Sequence, residues 1–244
     1  MTSKSPYRLG DYTSVTLEVV VVALTVVPIL VLIYFYPRLP ELIPVFMNLR
    51  GEVEVSAAKS LISVFRVPAM AIDLQLIFLL MKYGTIKSQR KLSSQLTGGN
   101  QEYLEYQGRI TGLTARLWDA FRLLSAFKMA AESVSVIFIN DERLRLFWTT
   151  IRVVIWIAVL SAIVAAIYYG YRLWAVKREM KGVAELEAGE QIDQTRLLGG
   201  FIYFNPNDPA PFVSKYCFNF ANMWVYALLM CLAAYPLLVF SALW

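Results

Sequence analysis

The fold is decided by residues 15–36, which read VTLEVVVVALTVVPILVLIYFY. A helix that crosses a lipid bilayer needs about 20 predominantly apolar residues, and this stretch supplies them with one charge, Glu18, near its start. Pro28 lies mid-run, where a membrane helix tolerates a kink. A signal peptide is the alternative, but the run is too long and lacks a small-residue cleavage site. The stretch therefore predicts a spanning helix.

The composition of the whole chain also indicates lipid as its medium. Apolar residues make up 58% of the 244 residues and charged residues 17%, whereas soluble domains have about 45–50% and about 25%. Histidine is absent, which removes the usual general base and the commonest metal ligand. Cys217 and Cys231 would lie about 21 Å apart along one helix, too far for a disulfide. We interpret both as apolar packing residues.

Further apolar runs predict four more spans, at 61–81, 117–139, 147–174 and 222–243. The run 117–139 carries four charged residues, so an amphipathic helix at the interface is its alternative. The short polar turn at 140–145 favours a spanning hairpin instead. The chain is thus predicted to be an all-α integral membrane protein, a bundle of about five transmembrane helices. We assign residues 1–244 to a single membrane domain, with inner loops at 82–116 and 175–215.

The basic residues set the predicted orientation, because Lys and Arg favour cytoplasmic loops. With a cytoplasmic N-terminus, the inner segments 1–14, 82–116 and 172–215 hold 14 basic residues, and the outer segments 37–60 and 140–146 hold five. We expect a multi-pass protein of the cell (inner) membrane with its C-terminus outside. The net charge of +5 flanks apolar runs, which favours membrane lipids over nucleic acid as the partner.

The outer segment 37–60 is rich in proline. Proline fixes its own φ and disfavours helix in the residue before it, so Pro37, Pro40 and Pro44 predict a stiff, non-helical segment. Its apolar side chains predict that it folds back on the bundle or lies in the headgroup layer. The candidate contact residues are Leu39, Pro40, Ile43, Pro44, Phe46, Asn48 and Gly51.

Two motifs carry a resemblance to a family. LPELIPVFMNLRG at 39–51 resembles the LPxxIPxHxNxxG segment of the bacterial Sdp-type immunity and signalling membrane proteins, with Phe46 where the family has histidine. GGFIYFNPNDPAPFV at 199–213 is similar to the GxxYxNPxDPxxFV element of the same group. The resemblance implies a non-enzymatic protein of the toxin-immunity or signal-relay type that acts through protein or peptide contacts. It does not imply a function that needs the missing imidazole.

The second motif contains a turn-building sequence. Asn and Asp side chains bond their own backbone, and proline presets φ. This predicts a rigid elbow at the inner membrane face, with a small cation site as the alternative. Three nearby oxygens fall short of a calcium shell, which favours the elbow. Its residues are Asn205, Pro206, Asn207, Asp208 and Pro209.

Charged residues inside the predicted spans are functional candidates, because charges in lipid are costly. Lys128 and Glu132 form an i,i+4 pair, and Arg122 has Asp119 three residues before it. Asp73 has no adjacent partner on its helix, so we expect a base from a neighbouring helix. The balance of signs favours ion pairs that hold the bundle over a transport path. The candidates are Arg66, Asp73, Asp119, Arg122, Lys128, Glu132 and Arg152.

No nucleotide-binding, metalloprotease or serine-hydrolase motif occurs in the chain, so we expect no enzyme, catalytic residue, cofactor or metal site. Two other functions stay open. One is an accessory, structural subunit of a larger membrane complex, which needs spans and docking segments but no chemistry. The other is a transporter of a small solute or ion that uses Asp73 and Glu132.

Overall fold

The computed structural model describes residues 12–47, 53–95, 101–138, 145–180, 197–198, 202–203, 212–214 and 217–240. This part of the chain is mostly helical and contains five α-helices. Their bounds are α1 Val15–Phe35, α2 Leu61–Gln95, α3 Gln101–Ser135, α4 Arg145–Glu179 and α5 Met223–Phe240.

The ends of α2 and α3 correct one prediction. Helices α1, α4 and α5 lie close to the predicted spans, and α2 begins at Leu61 as expected. However, α2 continues to Gln95 and α3 begins at Gln101, so residues 82–95 and 101–116 of the predicted loop are helical. The polar residues there include Lys, Arg and Gln, which are good helix formers. Their polarity ends the apolar run, but α2 continues beyond it.

The all-α prediction is also incomplete, because short antiparallel strand pairs are present. The strands are β1 Leu42–Met47, β2 Val53–Ala58, β3 Leu197–Leu198, β4 Ile202–Tyr203, β5 Phe212–Ser214 and β6 Cys217–Phe218. They pair as β1 with β2, β3 with β4, and β5 with β6. The proline-rich segment is therefore a short 3₁₀ turn, Tyr36–Arg38, followed by a β-hairpin. Proline excludes helix here but is tolerated in an edge strand.

The chain divides into two compact units. Unit 1 consists of Met1–Ser14, Phe78–Ala120 and Val164–Met230. Its largest apolar cluster is formed by Tyr106, Leu113 and Val176. Because these residues come from α3 and α4, the two helices pack directly on each other in this unit.

Unit 2 consists of Val15–Ile77, Phe121–Ile163 and Cys231–Trp244. Its apolar core joins α1, the hairpin, α2 and the end of α3. The buried members are Leu32, Leu39, Ile43, Val64 and Val136. Tyr36 and Phe65 stack against each other at the edge of this core, with ring centroids 6.3 Å apart.

Three of the described helices are long and apolar enough to cross a membrane. They cover Val15–Arg38, Leu61–Lys87 and Thr150–Glu179, and 17%, 39% and 6% of their apolar stretches are buried. The apolar part of α5, Met223–Val239, is shorter, and α3 does not qualify by composition. The structure thus offers three candidate spans where the sequence predicted about five.

Candidate functional site

The β1–β2 hairpin contains a bulge that frees one backbone carbonyl. Pro44 lies opposite Ser56, and Phe46 lies opposite Val55, so Val45 has no partner residue on β2. A bulge of this kind leaves its extra residue outside the hydrogen-bond ladder. The carbonyl of Val45 therefore needs a donor from elsewhere.

Arg66 on α2 supplies that donor and joins the hairpin to another helix. Its Nη2 donates to the Val45 carbonyl, and its Nη1 donates to the Val239 carbonyl at 3.2 Å. Val239 lies in the last turn of α5, where carbonyls lack helical partners. With a side chain only 7% exposed, Arg66 is a buried structural joint between β1, α2 and α5.

A second cation fixes the base of the hairpin. Lys59 donates from Nζ to the Leu39 carbonyl at 3.0 Å and lies over the Tyr36 ring at 5.7 Å. Ser60 and Ser63 exchange hydrogen bonds at the start of α2, with the Ser60 Oγ accepting from the Ser63 amide at 3.1 Å. This reciprocal capping fixes where the hairpin ends and the helix begins.

The predicted contact residues of this segment turn out to face several ways. Leu39 and Ile43 are 5% and 1% exposed and pack in the apolar core, so they hold the hairpin and offer no contact surface. Pro40 and Pro44 are half-buried, and Phe46 lies in β1. The predicted residues Asn48 and Gly51 lie outside the described residues. The exposed face instead belongs to Leu42 and to β2, which alternates between exposed and half-buried positions.

The predicted elbow, Asn205 to Pro209, also lies outside the described residues. Close to it, Tyr203 pairs with Asn219 as a parallel bridge, and the Phe220 amide donates to the Tyr203 carbonyl at 2.9 Å. Asn219 is fully buried, and its side-chain oxygen accepts from the Ala221 amide at 3.2 Å. This junction fixes the entry to α5 within unit 1.

The buried ion pairs differ from those that the sequence predicted. Arg122 on α3 pairs with Glu18 on α1 through hydrogen bonds of 2.6 and 2.7 Å, where the sequence suggested Asp119. In unit 1, Asp119 accepts two hydrogen bonds from Lys82 on α2, at 2.7 and 2.8 Å. Both Arg122 and Asp119 thus find their partners on other helices, and not on α3. Sequence spacing could not supply these partners.

The predicted pair of Lys128 and Glu132 is confirmed, with 2.6 Å between Nζ and Oε1. Glu132 also interacts electrostatically with Arg66 and with Tyr235 of α5. Arg152, on α4, is half-buried. Within unit 2, the Glu132 carboxylate thus interacts with two cations, Lys128 and Arg66.

Asp73 is the charged residue whose surroundings differ most from expectation. The sequence predicted a base as its partner, but its carboxyl lies beside the thiol of Cys231. Asp73 is 7% exposed, and its Oδ2 has no hydrogen-bond partner among the described residues. Tyr235 interacts electrostatically with it. Cys231 is therefore a polar contact as well as a packing residue.

Arg66 and Asp73, which are buried, and Glu132, Cys231 and Tyr235, which are half-buried, form the polar cluster of unit 2. Sequence reasoning found the first three, because a charge in an apolar run stands out. It missed Cys231 and Tyr235, whose types are ordinary in membrane helices. Among the described residues, no three His, Cys, Asp or Glu side chains are arranged to hold a metal ion.

Comparisons of the chain with models of known families, with curated proteins and with solved structures find no match.

Proposed function

We propose that this chain is a non-enzymatic multi-pass membrane protein that acts through a protein or peptide contact at its β1–β2 hairpin. The class of function that we propose is toxin immunity or signal relay. The rigid attachment of the hairpin to the helices, through Arg66, is the observation that carries the proposal.

The exposed apolar helix surfaces support membrane insertion. Only 6% of the apolar stretch of α4 and 17% of that of α1 are buried. Each Å² of apolar surface left in water costs about 25 cal/mol, whereas lipid tails remove that cost. Exposed patches of this extent are rare on soluble monomers. A bilayer is the medium that suits such helices.

The ion pairs support α3 as a further span despite its charges. Arg122 is matched by Glu18, Asp119 by Lys82, and Glu132 by Lys128. Paired charges that face other helices are the tolerated form of charge in a membrane. With α3 and the shorter α5 included, the chain crosses the bilayer five times. The distribution of Lys and Arg supports an orientation with the N-terminus inside and the hairpin outside.

The hairpin suits a contact surface because it is both stiff and exposed. Arg66, Lys59 and the buried Leu39 and Ile43 fix its backbone. A fixed element loses little conformational entropy when a partner binds. Its exposed side chains include Leu42, which is 62% exposed. A binding partner would contact this face.

The test uses charge reversal on the hairpin. Glu54 and Ser56 are exposed on β2, so Glu54→Lys with Ser56→Lys changes the contact face without touching its anchors. Bacteria that express the chain are challenged with a panel of membrane-active peptides. We expect protection by the natural chain, loss of protection with the double variant, and full protection with the control Glu105→Lys. Equal survival of all three strains would contradict the proposal.

A transporter is a second candidate, favoured by the unpartnered Oδ2 of buried Asp73 beside Cys231 and Tyr235. A carboxylate with a free oxygen in a membrane helix can bind a proton or cation. Measurement of ion and proton flux into proteoliposomes that contain the protein tests whether it is a transporter. Flux that disappears in Asp73→Asn would establish the transporter, and the absence of flux in the natural chain would remove it.

An accessory subunit is a third candidate, favoured by the low burial of α4. A helix that contacts its own chain so little offers a large face to another membrane protein. Gentle extraction followed by native gel electrophoresis separates the cases. Migration as a lone small particle would count against a subunit of a larger complex.

A further inference from the structure

A groove with a volume of about 470 Å³ lies between α3 and α4 in unit 1. Its volume falls in the range of small-molecule sites, about 300–1,000 Å³. Buried Leu113 and Val176, which belong to the apolar cluster of this unit, line its apolar part. The groove is therefore a formed feature of the helix pair.

Two glycines one turn apart keep the groove open. A Cβ added at Gly108 would meet no atom within 4 Å, and one added at Gly112 would meet only the Tyr12 ring, at 3.8 Å. Glycine destabilises a helix relative to alanine, and glycine pairs with this spacing usually allow two helices to pack closely. Here they permit no such contact. What they provide is free space beside α4.

Three arginines line that space and make it cationic. Arg109 is shared between Glu105, at 2.8 Å, and Glu179, at 3.5 Å. Within the described part of the chain, Arg172 makes one long polar contact, of 3.5 Å, with the Tyr168 hydroxyl. Arg116 is exposed and makes no ion pair or hydrogen bond in the part of the chain that the structure describes. Among the described residues that line the groove, Glu179 is the one carboxylate, so arginine charge is in excess there.

We propose that this groove binds the phosphate group of an anionic phospholipid. Guanidinium groups match phosphate oxygens with paired, charge-assisted hydrogen bonds. Basic pockets between helices on the cytoplasmic side are suited to lipid headgroups. The groove combines such cations with an apolar lining that an acyl chain can follow.

The neighbouring aromatic residues set the depth of the groove. Tyr171 and Trp174 flank Arg172 on α4 and are 60% and 53% exposed. Exposed Tyr and Trp residues on membrane helices lie at the level of the headgroups, where lipid phosphates are found. This step rests on the membrane placement proposed above.

The test uses the full chain in nanodiscs of phosphatidylcholine that contain a minor fraction of phosphatidylglycerol. Native mass spectrometry measures which lipid remains bound after the protein is released from the nanodisc. We expect retention of phosphatidylglycerol, and an apparent affinity about tenfold weaker in Arg116→Gln combined with Arg172→Gln. Gly108→Leu fills the groove at unchanged charge and should weaken retention as much.

Lys177→Gln is the matched control, because Lys177 is an exposed cation of the same helix end that does not line the groove. It should retain the lipid. The proposal is overturned if Lys177→Gln loses as much phosphatidylglycerol as the arginine variant, or if Gly108→Leu retains the lipid unchanged. Either result would show that the lipid is held by the general positive charge of this region and not by the groove. Inorganic phosphate at millimolar concentration forms a separate arm. If it displaces phosphatidylglycerol and raises the melting temperature by itself, the ligand is free phosphate and the lipid assignment is wrong.

Two further outcomes separate this proposal from the proposed membrane function. A chain that stays soluble without detergent or lipid would contradict the membrane function. A chain that enters nanodiscs but binds both lipids equally would contradict the headgroup site alone.

Discussion

The Arg122 guanidinium on α3 holds the Glu18 carboxylate on α1 with two hydrogen bonds, 2.6 and 2.7 Å long, across 104 residues of sequence. Arg122 is 4% exposed and Glu18 is 31% exposed. The two helices are thus joined by a bidentate pair that is largely shielded from water. Such pairs are costly to break on one side only.

Removal of Glu18 alone should destabilise the protein strongly. Glu18→Ala leaves the Arg122 charge buried without its main partner, and we expect a loss of about 3–5 kcal/mol. The double variant Glu18→Leu with Arg122→Leu should recover most of that loss, because no uncompensated charge remains. Unfolding in mixed micelles measures all three proteins. A double variant that is as unstable as Glu18→Ala would refute this account.

Loss of the buried ion pair between Lys82 and Asp119 should destabilise the protein far more than loss of an exposed ion pair of the same unit. Lys82 is 0% exposed and Asp119 is 14% exposed, whereas Arg109 and Glu105 are 44% and 57% exposed. We expect Lys82→Met to cost about 3 kcal/mol and Glu105→Gln to cost less than about 1 kcal/mol. Thermal unfolding in detergent at low and high salt checks this. Similar melting temperatures for the two variants would be the contrary result.

Loss of the Arg66 joint should loosen the hairpin and the end of α5 together. Arg66→Met removes the donors to the Val45 and Val239 carbonyls, each worth about 1.5–3 kcal/mol as a charge-assisted bond. Hydrogen exchange should rise about tenfold or more in β1, β2 and the last turn of α5. The control Arg38→Met removes an exposed arginine that lies over the Tyr34 ring. Unchanged exchange in Arg66→Met would show that the joint does not hold the hairpin.

The proposed orientation predicts opposite accessibility for two positions. Ser56 on β2 and Lys177 on α4 are both exposed, so each can carry a single cysteine in a background with Cys217→Ser and Cys231→Ser. In intact cells, an impermeant maleimide should label Ser56→Cys and leave Lys177→Cys unlabelled until the membrane is opened. Labelling of both positions from the same side would contradict the proposal, because three membrane crossings should separate position 56 from position 177.

The sequence predicts helices far better than it predicts contacts. The apolar run of α1 fixes its bounds almost completely, since length and hydropathy are local properties. The three prolines correctly predict a non-helical segment but do not indicate a hairpin, because proline is only tolerated, and not favoured, in an edge strand. The partners of Arg122 and Asp119 were missed because they lie on other helices. Only tertiary packing decides which of several opposite charges a buried group meets.

The position of Pro44 has a consequence for self-assembly. The Lys59 amide donates to the Glu41 carbonyl at 2.7 Å, which makes positions 41 and 59 a hydrogen-bonded pair. Pairs alternate in an antiparallel ladder, so Pro44, opposite Ser56, is a non-hydrogen-bonded position whose nitrogen points away from β2. That nitrogen carries no hydrogen. The outer edge of β1 therefore lacks one donor for pairing with a strand of another copy, which disfavours open-ended growth through this edge.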